Sequence, residues 1–334
     1  MAAVSPAPPS VPSTGENRAK GGHADHQALL LQAVDRVNSV YLGKPELVRL
    51  AFICLLAEGH LLLEDVPGTG KTLLAQALAR VVGGTFHRIQ FTPDLLPSDL
   101  LGTSVLMEAT GEFVFKPGPI FAQFILADEI NRASPRTQSS LLEAMADRQV
   151  SVDGKTHPLG RTFCVLATQN PTEFEGTYPL PESQLDRFLV RLHMGYPDRE
   201  AERAILEGHR TGEPVEGLEP VLSTELLATL QSETRAVRFD KAMADYLLDA
   251  VEATRRHPEV RVGASTRAAL ALYRAAQASA FLENRKFVIP DDIKRLAGPV
   301  LAHRLLLRHA HGPEHGMQAE VLLARMMEKV AVPV

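Results

Sequence analysis

Only two cysteines, Cys54 and Cys164, occur in this chain of 334 residues. That is too few for a disulfide scaffold or a cysteine-based metal site. Each lies inside an apolar run, Phe52-Ile53-Cys54-Leu55-Leu56 and Phe163-Cys164-Val165-Leu166, and reads as a small buried hydrophobe. No uninterrupted stretch reaches the roughly 18 apolar residues that a membrane-spanning helix needs, so no membrane span is expected. The first residues carry no basic start followed by an apolar segment, so no secretory signal is expected and the chain reads as cytoplasmic. Positive charge is not in excess either: 35 basic and 40 acidic residues give a net charge of −5. Nucleic-acid binding wants a basic surface, so no nucleic-acid partner is expected. No internal repeat at a solenoid period is found.

Hydrophobic residues make up 45% of the chain, enough for a sizeable core, and the length suggests two domains. Residues 1–24 are rich in Pro, Ser, Ala and Gly and read as a disordered tail. From His26, Leu29, Leu30, Ala33, Val34 and Val37 recur at helical spacing. A second helix follows Pro45 and stops before Gly59. Helices and short apolar runs then alternate, with strands expected at His60–Glu64, Thr85–Phe91, Phe124–Ala127, Thr162–Thr168 and Phe188–Met194. This is the pattern of a parallel sheet covered by helices on both faces, an α/β three-layer core over residues 25–210. Beyond Tyr196-Pro197-Asp198 only helices are expected, at 223–235, 240–256, 265–283, 291–302 and 317–330. Residues 211–334 therefore read as a smaller all-helical domain.

The run His60–Glu64 is followed by Asp65-Val66-Pro67-Gly68-Thr69-Gly70-Lys71-Thr72 and then by a helix from Leu73 to Val82. Strand, glycine-rich loop and helix in this order form a phosphate-binding loop for ATP or GTP. Gly68 and Gly70 let backbone N–H groups curl around a phosphate, and the helix N-terminus adds partial positive charge. Lys71 reaches the β- and γ-phosphates, and the Thr72 hydroxyl ligates Mg²⁺. The first loop position is Asp65, where the strict pattern has Gly. Further on, Phe124-Ile125-Leu126-Ala127 ends in Asp128-Glu129. Ligands of open α/β sheets sit at the C-terminal ends of strands. Asp128 is then placed to hold Mg²⁺, directly or through water, and Glu129 to polarise an attacking water. A third strand ends in Gln169-Asn170, an amide that could bond the γ-phosphate or the lytic water, or serve only as a turn former.

Together these stretches resemble AAA+ ATPases, and within them the MoxR family. The resemblance is carried by Glu64–Thr72, Gln90–Asp99, Pro117–Phe121, Ala127–Ala133, Leu141–Met145, Ala167–Pro171, Tyr178–Phe188 and Gly263–Ala268. It runs from about residue 27 to the C-terminus, and Asp65 is shared by many such loops. It implies a P-loop NTPase (AAA+) core followed by a helical lid. It also implies that Asn170 is sensor 1, that Arg187 is an arginine finger acting on a neighbour's ATP, and that Arg267 is sensor 2. From the residues alone, Arg187 would be a surface partner of Asp186 or Glu182. Residues 92–118 resemble an insertion in the second core helix. The hairpin at 149–158, around the favoured turn Asp153-Gly154, resembles the pre-sensor-1 hairpin. The family implies self-assembly into a ring of six and a separate partner carrying a von Willebrand factor A domain. The activity implied is ATP hydrolysis driving chaperone-like remodelling, maturation or metal-cofactor insertion of a partner. The alternatives are a magnesium-chelatase-type motor subunit, a nucleic-acid-associated AAA+ regulator, and a scaffold that binds nucleotide without hydrolysing it. His303, His309, His311 and His315 fit no standard ligand spacing and read as a solvated helix end. Arg132 and Arg136 read as exposed arginines or as contacts to a neighbour.

Overall fold

A computed structural model describes residues 22–64, 68–170, 177–309 and 315–333. Two helices, α1 (His23–Val40) and α2 (Pro45–Leu56), lead into strand β1 (Leu61–Glu64) and helix α3 (Lys71–Val82). Strand β2 (Phe86–Gln90), a short α4 (Pro97–Leu101) and the hairpin β3 (Gly102–Met107) and β4 (Glu112–Pro117) follow. Next come β5 (Phe124–Asp128), α5 (Pro135–Asp147), the hairpin β6 (Gln149–Val152) and β7 (Lys155–Pro158), and β8 (Cys164–Gln169). The core closes with α6 (Glu182–Leu185), β9 (Val190–His193) and α7 (Arg199–Gly208).

The five central strands pair in parallel in the order β2-β5-β8-β1-β9. Their composition explains the placement. Strands β1, β5 and β8 are apolar on both faces and occupy the three inner positions. Successive side chains alternate between faces. Phe124 and Leu126 therefore pack with α1, α2 and α3, while Ile125 and Ala127 pack with Leu141, Leu142 and Met145 of α5. Both cysteines are buried as expected. Burial pushes the Cys164 thiol up to about 12 and Cys54 well above its usual value, so neither is a thiolate.

The C-terminal part holds α8 (Thr224–Arg235), α9 (Lys241–Arg256), β10 (Val260–Val262), α10 (Thr266–Leu282), α11 (Pro290–Leu301), β11 (Leu306–Leu307) and α12 (His315–Lys329). Ser223 and Ser265 cap α8 and α10, each accepting from the backbone N–H three residues on, at 3.1 and 3.0 Å. One expectation is corrected here. The lid is not purely helical, because β10 and β11 form a small antiparallel pair. Each is too short to leave a pattern in sequence. The larger hydrophobic core runs without a break from α2 and the sheet into α10 and α11, so the lid is seated on the same core as the nucleotide-binding layer.

The reading of His303 as part of a solvated helix end is also corrected. Its imidazole is 3% exposed and its Nε2 lies 3.0 Å from the Phe188 carbonyl. Burial holds its pKa well below the usual imidazole value, with the neighbouring Arg304 charge adding to the effect. His309 is exposed, and His311 lies outside the described residues. Among the described residues no group of three or more His, Cys, Asp or Glu side chains is placed to hold a metal by itself. No described helix is long and apolar enough to cross a membrane.

Where β1 runs out toward the phosphate loop, Glu64 meets Arg191 of β9 at 2.5 Å, with side chains 9% and 8% exposed. Gly316 of α12 lies against this guanidinium, so closely that a Cβ there would fall 2.0 Å from Nη2. Removing one partner of a buried pair leaves an uncompensated charge. Arg191→Met is expected to destabilise the chain by about 3–5 kcal/mol in urea unfolding. The double change Glu64→Leu with Arg191→Met should recover most of that loss, and failure to recover it would make the pair's role one of shape and not of charge.

Candidate active site

Elements from four of the five central strands bound one cleft of about 600 Å³, a size suited to a nucleotide. Gly68, Thr69, Gly70, Lys71, Thr72 and Leu73 line its floor. Gly68 and Gly70 sit at φ 86° and 87°, the left-handed region open to glycine. At Gly70 a Cβ would also come within 3.2 Å of the Tyr41 ring. Lys71 begins α3, so the loop's N–H groups and the positive end of the helix face the same space. Asp65, Val66 and Pro67, expected to complete the loop, lie outside the described residues.

Across the cleft stand Asp128, Glu129, Thr168 and Asn170. Strand β5 ends at Asp128, and the backbone then turns through φ 55° at Glu129. A left-handed conformation at a non-glycine residue is strained and recurs at functional sites. It is held by a hydrogen bond from the Glu129 N–H to Thr168 Oγ1, at 2.8 Å. The same hydroxyl donates to Asp128 Oδ1 at 2.6 Å. Asp128 Oδ2 accepts from Arg88 Nη2 at 2.5 Å and from Arg88 Nε at 3.1 Å. Glu129 Oε2 accepts from Gln90 Nε2 at 2.8 Å and from Arg132 Nη1 at 3.0 Å. Arg132 is thus a partner of Glu129 and not an idle surface arginine.

Part of the lining is apolar. Val40, Tyr41, Leu42, Pro197 and Ile205 form it, with His209 and Glu213 at its rim. An adenine ring fits such a wall, while the phosphates fit the loop. The donor set by the loop, a Thr72 hydroxyl facing the Asp128 carboxylate, is all oxygen and matches a hard divalent cation such as Mg²⁺.

Arg187 and Arg267 do not line this cleft. Arg187 donates to the Leu142 carbonyl of α5 at 2.5 Å. Its neighbour Asp186 is gripped by Arg304, Nε to Oδ1 at 2.6 Å, and Arg267 approaches the other oxygen at 3.9 Å. Arg304 is 4% exposed and also donates to the carbonyls of Phe188 and Val300. A lid residue therefore clamps the turn that carries Arg187. Sequence reasoning missed Arg88, Gln90 and Thr168. The alternation of Arg88 and Gln90 on β2 was visible, but their meeting with Asp128 and Glu129 depends on β2 lying beside β5.

Residues 60–190 match the profile of the ATPase family associated with various cellular activities, and residues 252–323 match that of an AAA lid domain. The chain is 51% identical to the uncharacterised protein YeaC of Bacillus subtilis, over 93% of this chain and 97% of that one. It is 41% identical to Chaperone MoxR1 of Mycobacterium tuberculosis over 99% of this chain and 88% of the relative. It is 33% identical to Protein MoxR of Paracoccus denitrificans, over 93% and 98% of the two chains. A crystal structure from Cytophaga hutchinsonii, itself only provisionally assigned as an ATPase, superposes with a TM-score of 0.84 at 37% identity, covering 93% of this chain and 97% of that one.

Proposed function

The chain belongs to the MoxR family of AAA+ ATPases, and from that premise we propose that it hydrolyses Mg²⁺–ATP in a ring of its own copies to remodel a partner protein. The observation that carries the hydrolytic part is the facing of Lys71 and Thr72 by Asp128 and Glu129 across one cleft. A binding-only scaffold has no use for a second carboxylate beyond the metal ligand.

In this reading Lys71 and the loop N–H groups hold the β- and γ-phosphates, and Thr72 and Asp128 hold the metal. The bound metal would neutralise charge on the phosphate oxygens. Glu129, once free of Gln90 and Arg132, accepts a hydrogen bond from the attacking water and aims its oxygen at the γ-phosphorus. The water oxygen would bond the γ-phosphorus as Glu129 takes its proton, and the bond from that phosphorus to the bridging oxygen would break with its electron pair leaving on ADP, so that ADP and phosphate are released. Asn170, which lines the cleft one residue beyond β8, would bond the γ-phosphate or that water. Arg187 faces away from its own cleft, which supports action on the ATP of the next subunit. Arg267, on the lid and 3.9 Å from Asp186, would act as sensor 2.

The family's ring, taken here as a hexamer, is the assembly that would supply Arg187. Its partner in this reading is a separate protein with a von Willebrand factor A domain, which would be matured, remodelled or loaded with a metal cofactor. The name of the Mycobacterium tuberculosis relative, a chaperone, supports the remodelling reading. So does the hairpin β3–β4, where Leu106 and Phe113 pair across the strands and are 51% and 71% exposed. A site that consumes ATP belongs in the cytoplasm, where ATP is plentiful. Domain limits of 25–210 for the nucleotide-binding layer and 211–334 for the lid fit this division of labour.

Lys71→Ala tests the premise of nucleotide binding. Loss of about two charge-assisted hydrogen bonds of roughly 1.5 kcal/mol each should weaken a fluorescent ATP analogue at least about a hundredfold. Native affinity in that variant would remove the loop from the site.

A further inference from the structure

Arg88 is the one strongly basic side chain on β2 that the hydrolytic roles above leave unused. It sits two residues before Gln90, on the same face of the strand, and it lines the cleft at the phosphate end beside Asp128. Its side chain is 52% exposed, while that of Asp128 is 15% exposed. Nε and Nη2 both bond Asp128 Oδ2, and Nη2 lies 3.4 Å from Gln90 Oε1. Thr168 occupies the remaining oxygen, Oδ1. Both oxygens of the proposed metal ligand are therefore taken by protein donors.

Arg88 Nε and Nη2 take up both lone-pair directions of Oδ2, so a divalent cation reaching that oxygen meets occupied lone pairs and a like charge close by. Thr168 is neutral, tethered inside the sheet, and compatible with a metal on the other oxygen. Arg88 is charged, long and half in solvent, so it is the group that yields.

We propose that Arg88 is a displaceable latch: it neutralises Asp128 while the cleft is empty and must swing off before Asp128 can ligate a metal. Arg88 is a positioning residue in this scheme. It spares the carboxylate an unpaired state in a partly buried setting, and it sets how much Mg²⁺ is needed to switch the site on. The inference rests on the reading of Asp128 as the metal ligand.

The test follows binding of a fluorescent, non-hydrolysable ATP analogue to the full chain while Mg²⁺ is titrated, so turnover plays no part. Charge-assisted pairs at partly exposed sites suggest that Arg88→Ala should lower the half-saturating Mg²⁺ concentration by about tenfold. Arg88→Gln, which keeps length and loses charge, should do the same and serves if the alanine variant fails to fold by circular dichroism. Arg88→Lys should lie between it and the native chain. In an Asp128→Asn background, Arg88→Ala should produce no shift. An unchanged or raised Mg²⁺ requirement in both neutral variants overturns the latch, as does a shift that persists without Asp128. If Asp128→Asn alone shows the native Mg²⁺ response, the metal-ligand reading itself falls, whatever the Arg88 variants do.

Discussion

Glu129→Gln is expected to bind ATP as the native chain does and to lose hydrolysis by about 10²–10⁴-fold, the usual contribution of a positioned general base. The substitution keeps size and hydrogen-bonding reach and removes only the charge and the basicity. It leaves Lys71, Thr72 and Asp128 in place, so affinity for nucleotide should not fall. The present partners sharpen this expectation. Glu129 is held by Gln90 and Arg132, both donors. A glutamine can still accept from either through its carbonyl oxygen, so the strained turn at φ 55° has no reason to relax. A phosphate-release assay at saturating ATP, paired with a binding titration, separates the two effects. Loss of binding along with turnover would mean that the variant disturbs the loop and says nothing of a base. Full turnover would remove Glu129 from that role.

Arg187→Ala carries the other large effect. An arginine finger stabilises charge on the transferring phosphoryl group and is worth about 10³–10⁵ in rate. The expected result is native nucleotide binding by each subunit with turnover reduced on that scale. Arg187 lies outside its own cleft and bonds the Leu142 carbonyl, so its removal touches no nucleotide contact within the chain. The clamp of Asp186 by Arg304 fixes the turn next to it. A lid movement that disturbs Arg304 would thereby be felt at Arg187 through the adjacent Asp186. Sedimentation of the variant at the concentration of the assay distinguishes a missing charge from a missing ring.

Much of this was legible in the chain itself. The inner strands β1, β5 and β8 stand out because burial on both faces leaves near-continuous apolar runs. The phosphate loop stands out because its glycines and its Lys-Thr pair serve one ligand at one spacing. Other features were not legible, for reasons of geometry. The inserted segment 92–118 was visible, but its strands β3 and β4 were not, since they are largely solvated and carry no core-facing alternation. The pair β10 and β11 is too short for any period. Arg88 and Gln90 acquire meaning only from the adjacency of β2 and β5, a strand order that no local pattern encodes. His303 looked like one of a run of surface histidines, yet it is buried against the Phe188 carbonyl, a contact between residues far apart in sequence.

The central claim is that the cleft hydrolyses ATP and is completed by a second copy of the chain. Phosphate release in mixtures of Lys71→Ala and Arg187→Ala subunits tests it most directly. Each variant alone should be nearly silent, the first for want of bound nucleotide and the second for want of a finger. Mixed, the Lys71→Ala subunits can lend Arg187 to the intact loops of their neighbours, and turnover should appear. Native turnover by Arg187→Ala subunits on their own would contradict the account.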